Sequence, residues 1–384
     1  MANGSTGTVD SWAHGHGGRL TVDRVALVDN WRFLAAKAGS AECGAAVKGD
    51  GYGIGLEETV AALQAAGCRT FFVALPEEGV RARAIAPEAT IHVLNGLFEE
   101  AVETYRAHRL IPVLGSMVEV RLWANEALKH GEKLPATLHV DTGMNRMGLR
   151  VEEALGLATA PGPLNAIDLQ LIISHLACAD VPDHPMTAAQ LERFRKVAAA
   201  FPHVRTSLAN SAGILTGPEF HFDLVRPGIA LYGGRALAGR PNPMRTVVTL
   251  EGRIMLVRMV PKGETVGYGA AQRCTRDSRI AILSIGYADG FHRGAGGTDA
   301  VPGARAAIEG RPVPLFGRIS MDLLAIDVTD LPDGLGERGQ WVELFGPRIP
   351  VDEVAARAGT IGYELLTGLG RRYARRYLGD ISRI

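Results

Sequence analysis

Cysteine is scarce in this chain. Cys43, Cys68, Cys178 and Cys274 are spread over 384 residues, and no two have the C-x-x-C spacing of a zinc site or a redox couple. So few thiols in a chain this long fit a reducing compartment. Net charge is also lacking. Lys+Arg and Asp+Glu both total 41, so the basic footprint of a nucleic-acid binder is absent and a small molecule or another protein is the expected partner. No run of about 18 uninterrupted apolar residues occurs, and no membrane-spanning helix is expected. The leading MANGSTGTVDSWAHGHGG has neither a basic n-region nor an apolar h-region, so it does not read as a signal peptide. A cytoplasmic protein without a metal site is the expectation.

What is present is apolar bulk, 47% of the residues against 21% charged, enough for a sizeable core. The length suggests two domains at roughly 150 residues each. Residues 1–18 read as a flexible tail whose His14 and His16 are solvated rather than metal ligands. From residue 19 to 240 short apolar runs alternate with helical patterns. The runs are AAVK (45–48), TFFVAL (70–75), IHVL (91–94), LIPVL (110–114), TLHVD (137–141) and LQLIISH (169–175). Between them lie segments such as TAAQLERFRKVAAAF (187–201), which sets Leu191, Phe194, Val197 and Ala198 on one helical face. Repeated βαβ units imply a parallel sheet. With short runs at 204–208 and 224–225 the count reaches eight, which predicts a TIM-like (β/α)8 barrel; a doubly wound open sheet is the alternative. Residues 241–384 crowd strand-like runs between glycines and prolines, predicting a mostly β domain.

Three stretches of the predicted barrel can carry chemistry. In AAVKGDGYGIG, Lys48 follows a strand, where a desolvated amine can act as a nucleophile; read alone, a strand-end lysine is more often a solvated rim residue. In HVDTGMNRMGLR, Arg146 offers a planar fork for a carboxylate, or is an ordinary surface arginine. ANSAG and LVRPGIALYG combine a hydroxyl, small residues and exposed amides after two late strands, where barrels commonly hold phosphate. In the β domain, a tyrosine flanked by glycines in TVGYGA reads by itself as a turn residue.

Taken in order, VKGDGYGIG, DTGMNRMG, NSA, RPGIALYG, YG, GYADG, GRISMD and GYE resemble the alanine racemase family from about Leu20 to Tyr377. The resemblance implies a pyridoxal 5'-phosphate (PLP) enzyme that interconverts L- and D-alanine, either supplying D-alanine for peptidoglycan or serving alanine catabolism. It implies a homodimer with shared active sites. Lys48 matches the cofactor-binding catalytic lysine, and Tyr268 the opposing catalytic tyrosine from the partner subunit. Tyr52, Ser211, Gly228, Ile229 and Tyr363 match the phosphate-binding set. Arg226 matches the arginine at the pyridine nitrogen and His175 the histidine near the ring. Arg146 and Met321 match substrate-binding residues, and Asp180, Tyr287, Arg293 and Arg318 the entryway.

Departures accompany the match. Family members often carry a carbamylated lysine seven residues before the loop arginine, where this chain has His139, so no carbamate is expected there and a neutral imidazole is one replacement. Glycines in GDGYGIG replace alanines and are expected to loosen the loop. Ser320 stands where some members have cysteine. A barrel decarboxylase of basic amino acids would carry an acidic residue in place of Arg226, and a non-enzymatic PLP-binding protein would lack the β domain. A broader racemase acting on serine is the alternative that remains.

Overall fold

The computed structural model of the protein describes residues 11–381. Contacts divide the chain into two compact units, Val25–Arg245 and a second made of Thr246–Gly379 with the residues up to Arg24. The leading strand β1 (Gly18–Asp23) belongs to the second unit, pairing antiparallel with Val248–Gly252 and parallel with Ala374–Leu378. The barrel, expected from residue 19, starts after this strand, at Val25. A six-residue alternating strand shows a buried face but not which sheet receives it. Part of the expected tail is also structured. Ser11–Ala13 form a 3-10 turn, and the Trp12 ring lies 4.5 Å from the Arg376 guanidinium. Residues 1–10 of that tail lie outside the described residues.

The first unit is a barrel. Its strands are β2 (Glu42–Cys43) running on through Gly44 into β3 (Ala45–Ala46), then β4 (Thr70–Val73), β5 (Thr90–Val93), β6 (Ile111–Leu114), β7 (Leu134–Asp141), β9 (Ile167–Ile173), β10 (Arg205–Ser207) and β11 (Leu224–Val225); a short β8 (Leu149–Arg150) adds to β7. Order β3-β4-β5-β6-β7-β9-β10 is parallel throughout, and β11 pairs parallel with β2. The ring closes where the amides of Asp223 and Arg226 donate to the carbonyls of Thr206 and Ala209, at 3.0 and 2.9 Å. Both faces of these strands are covered, which is why they read as unbroken apolar runs: every residue of β4 and β6 is buried.

Helices cover the outside. The pattern at 187–201 becomes the helix Pro185–Ala200, with Leu191, Phe194 and Val197 buried. It begins earlier because Pro185 suits a first helical turn and His184 Nδ1 caps the Met186 amide at 3.2 Å. Fully buried rings such as Phe71, Phe72, Trp123 and Phe194 each stabilise the core by roughly 1.5–3 kcal/mol.

The second unit is an eight-stranded sheet. After β1 its strands are β12 (Val248–Val260), β13 (Ser278–Leu283), β14 (Arg305–Ile308), β15 (Arg311–Pro314), β16 (Leu324–Asp327), β17 (Trp341–Phe345) and β18 (Ala374–Leu378). The path runs β15-β14-β17-β12-β1-β18, with β13 and β16 added from β12. Register breaks at Leu250/Glu251 and Ile254/Leu256 let the 13-residue β12 bend and serve several partners. No helix among the described residues is long and apolar enough to cross a membrane.

Candidate functional site

Lys48 stands at the end of β3, on the face of a parallel barrel where loops gather. Burial and the charge of Arg146 hold its amine below the usual range, partly opposed by Glu78. Among the described residues no hydrogen bond or ion pair holds that amine. Gly49, Asp50, Gly51 and Tyr52 all have positive φ, from 52 to 65°, a complete left-handed turn. L-residues pay about 1–2 kcal/mol each in that region, so glycines at 49 and 51 relieve the turn. At Gly51 a side chain would also meet Thr59 Oγ1 at 2.7 Å.

The turn delivers Tyr52 to a cluster of donors. Its ring stacks on Tyr232 at 4.4 Å, and the Tyr232 hydroxyl donates to the Ala46 carbonyl. A Cβ at position 228 would lie 2.3 Å from the Tyr52 hydroxyl, so only glycine leaves that space open. Ser211 Oγ accepts from the amides of Gly228 and Ala230, at 2.8 and 3.3 Å. The Tyr52 hydroxyl beside the space at Gly228, with Ser211 Oγ and the two amides gathered on it, brings together the donor types that suit a phosphate group. Ile229 is fully buried, and its neighbour Ala230 supplies the second amide.

Arg226 is buried, and burial lowers its guanidinium to about 10. It donates to Ser207 Oγ and to the Ser174 carbonyl, each at 2.5 Å, and lies over Phe72. Three imidazoles share this interior. Burial, with help from the Arg226 charge, takes His92 and His175 to about 3 and His139 to about 4. His92 stacks on Phe72 and meets Thr137 Oγ1 at 2.8 Å.

Arg146 stands exposed on the loop after β7. Asp141 folds that loop by accepting the amides of Gly143, Met144 and Asn145 on one oxygen. No hydrogen bond joins Arg146 to His139 in the structure, although the neutral imidazole is able to accept one. Buried Gln190 ties the loop to the next, accepting the Ala177 amide and donating to Thr142 Oγ1 and the His175 carbonyl.

The second unit carries the other group of expected residues. Tyr268 is 72% exposed, on a 3-10 turn between β12 and β13. That turn packs on the GRISMD segment: a Cβ at Gly269 would meet Arg318 Nη1 at 2.7 Å, and one at Gly317 the Val266 carbonyl at 2.6 Å. Tyr268 and Arg318 line a groove of ≈ 550 Å³ with Val266, Phe316, Ser320 and Leu323. Buried Asp289 and exposed Asp322 share Arg372, at 2.8 Å each. The Ala288 amide donates to the Met321 carbonyl, and Gly290 packs on the Gly368 carbonyl with no room for a Cβ. The GYADG, SMD and GYELLTGLGRR segments are thus one structural cluster, presenting Tyr287, Met321 and Tyr363 as exposed side chains. Asp180 is exposed on the barrel unit; Arg293 and Arg318 are exposed on the second unit.

Sequence reasoning missed Glu78, Gln190, Ser207, Asp289 and Arg372. Only Glu78 left a signal, as the third residue of a helix start after Pro76, and that pattern is common to helices generally.

Residues 22–236 match the family described as alanine racemase, N-terminal domain, and residues 247–377 that described as alanine racemase, C-terminal domain. The chain is 49% identical over 367 residues to an alanine racemase of Rhizobium meliloti, covering 94% of this chain and 97% of the relative. It is 48% identical to a biosynthetic alanine racemase of Agrobacterium fabrum, covering 94% and 93%. The crystal structure of alanine racemase from Bartonella henselae with covalently bound pyridoxal phosphate superposes with a TM-score of 0.88 at 39% identity, covering 94% of this chain and 99% of that one.

Proposed function

The chain belongs to the alanine racemase family, and from that premise we propose how its residues carry the reaction. The enzyme is a PLP-dependent isomerase that interconverts L- and D-alanine. Nothing among the relatives supports the serine alternative. Two enantiomers have equal free energy, so the direction of flux follows supply and demand, toward D-alanine synthesis or toward catabolism.

The observation that carries the assignment is the depressed, desolvated amine of Lys48 on the same barrel unit as the Ser211–Gly228–Ala230 donor set. When bound, PLP supplies the electron sink that makes the α-proton labile. Lys48 would hold it covalently, Tyr52, Ser211, Gly228, Ile229 and Tyr363 would hold its phosphate, and His175 would stand on the ring side. Arg226 would be the residue at the pyridine nitrogen. Fixed by Ser207 and Ser174, its guanidinium would donate a hydrogen bond there without surrendering a proton, which would limit side reactions such as transamination. Lys48 Nζ moves the α-proton on one face, and Tyr268 of the partner subunit moves it on the other. A depressed amine suits the basic half of that exchange. Arg146 and the Met321 amide grip the substrate carboxylate.

The homodimer follows the same reading. Exposed Tyr268, Met321, Leu323 and Tyr363 on the second unit supply the apolar surface a partner would cover. A cytoplasmic location fits the four free cysteines, three of them buried.

Removing the Lys48 amine tests the scheme. Lys48→Ala should lose the visible absorbance of the lysine-bound cofactor and all racemisation measured by chiral chromatography; a normal spectrum sinks the lysine assignment.

A further inference from the structure

The side chain of Lys48 has no bonded partner among the described residues, so the backbone behind it must set where the amine stands. That backbone is a left-handed turn with two L-residues in it, Asp50 (φ 55°) and Tyr52 (φ 52°). Such a turn persists only if its surroundings over-determine it. Stacking on Tyr232 fixes its far end.

One side chain fixes its near end. Glu78 is buried, 9% exposed, on the helix Pro76–Ile85 of the following βα unit. Its Oε1 accepts the amides of Gly49 at 2.6 Å and Asp50 at 3.1 Å. Its Oε2 accepts those of Ala74 at 2.8 Å and Leu75 at 3.3 Å. A single carboxylate thus joins the loop after β3 to the loop after β4 through four N–H groups. The two amides on Oε1 are those immediately following Lys48. Charge-assisted bonds from amides to a carboxylate are short and strong, and losing the acceptor would leave two part-buried donors unpaired.

The barrel contains its own comparison. Glu119, on the helix Met117–His130, does the same two strands further on. Its Oε1 accepts the Leu97 amide at 2.9 Å, and its Oε2 the Gly115 amide and the Ser116 hydroxyl at 2.8 and 3.0 Å. Glu119 clamps loops that carry no proposed site residue. Shared architecture accounts for both clamps, but only the one at Glu78 grips the turn between Lys48 and Tyr52.

We propose that Glu78 is a positioning residue for the reaction: by holding the Gly49 and Asp50 amides it fixes the left-handed turn that aims Lys48 and delivers Tyr52 to the phosphate. This rests on reading Lys48 as the PLP-binding lysine. Glu78→Gln keeps shape and size but turns an NH2 group toward amide donors on one side of the clamp.

The experiment compares Glu78→Gln and Glu119→Gln in the full-length protein. PLP affinity is measured by absorbance titration of protein stripped of cofactor, and amide exchange by mass spectrometry on the holoenzyme. Glu78→Gln should weaken PLP binding by about tenfold or more, on the loss of a charge-assisted bond, and should speed exchange of the peptide holding Gly49 and Asp50. Glu119→Gln should lower the melting temperature and leave PLP affinity within about twofold. Equal effects of the two variants on stability, with PLP affinity unchanged in both, overturn the proposal. Should Glu78→Gln not fold, Glu78→Asp retains the charge and shortens the reach by one methylene; unchanged PLP affinity in that variant also overturns it. If wild-type protein and Lys48→Ala bind PLP alike, the lysine assignment itself has failed, and that outcome is distinct from a failure of Glu78.

Discussion

A lysine and a tyrosine have ordinary pKa values near 10.4 and 10, too high for effective bases at neutral pH. For Lys48 the structure supplies the correction, through burial and the Arg146 charge. Tyr268 is exposed in the single chain. The two should therefore separate experimentally. Tyr268→Ala is expected to slow α-deuterium exchange from L-alanine more than from D-alanine, and equal losses in both directions would count against two bases on opposite faces. A second expectation concerns the imidazoles of His92, His139 and His175, held near 3–4 against an ordinary 6.5. Between those values the unfolded chain binds more protons than the folded one, so stability falls as pH drops through that window and is fully present above about 6.5. At about pH 5 each histidine costs on the order of 2 kcal/mol. Urea unfolding at neutral pH and near pH 5 should show the loss, and His92→Gln should shrink it; a pH-independent midpoint refutes it. Sequence alone marked His139 and His175. It passed over His92, because a histidine in an apolar strand run has no visible partner until Phe72 and Thr137 are brought against it.

At the scale of single elements, the loop 48–55 is where the sequence was least well understood. GDGYGIG shows glycines, and glycines by themselves imply freedom. In the fold they imply handedness. Gly51→Ala should therefore lower stability, by about 1–2 kcal/mol for the backbone plus the contact with Thr59 Oγ1, and should weaken PLP binding as well. Thermal melts and cofactor titration measure the two separately; a melting temperature equal to wild type contradicts the assignment of strain. In the second unit, Asp289 and Arg372 were unmarked because they lie 83 residues apart. Only folding brings GYADG onto the GLGRRY turn, with Arg372 bridging Asp289 and Asp322.

At the scale of the whole molecule, the testable claim is that an active site needs two chains. A heterodimer of Lys48→Ala with Tyr268→Phe, each inactive alone, should recover racemase activity, because one site in it contains an intact lysine and an intact tyrosine. Absence of recovery in a verified heterodimer would return both residues to one chain. The sequence by itself determined a great deal: eight apolar runs with helical segments between them dictate a parallel sheet covered on both faces, and the ordered motifs identify the family and its cofactor; closure of that sheet into a ring is seen only in the fold. The tertiary structure decided the rest. It assigned β1 to the second unit, converted a glycine-rich loop into a left-handed turn, and placed Glu78 under Lys48. Those features depend on contacts between segments far apart in sequence, and an alternating strand, a glycine or a helix-start glutamate looks the same in the chain whatever it will eventually touch.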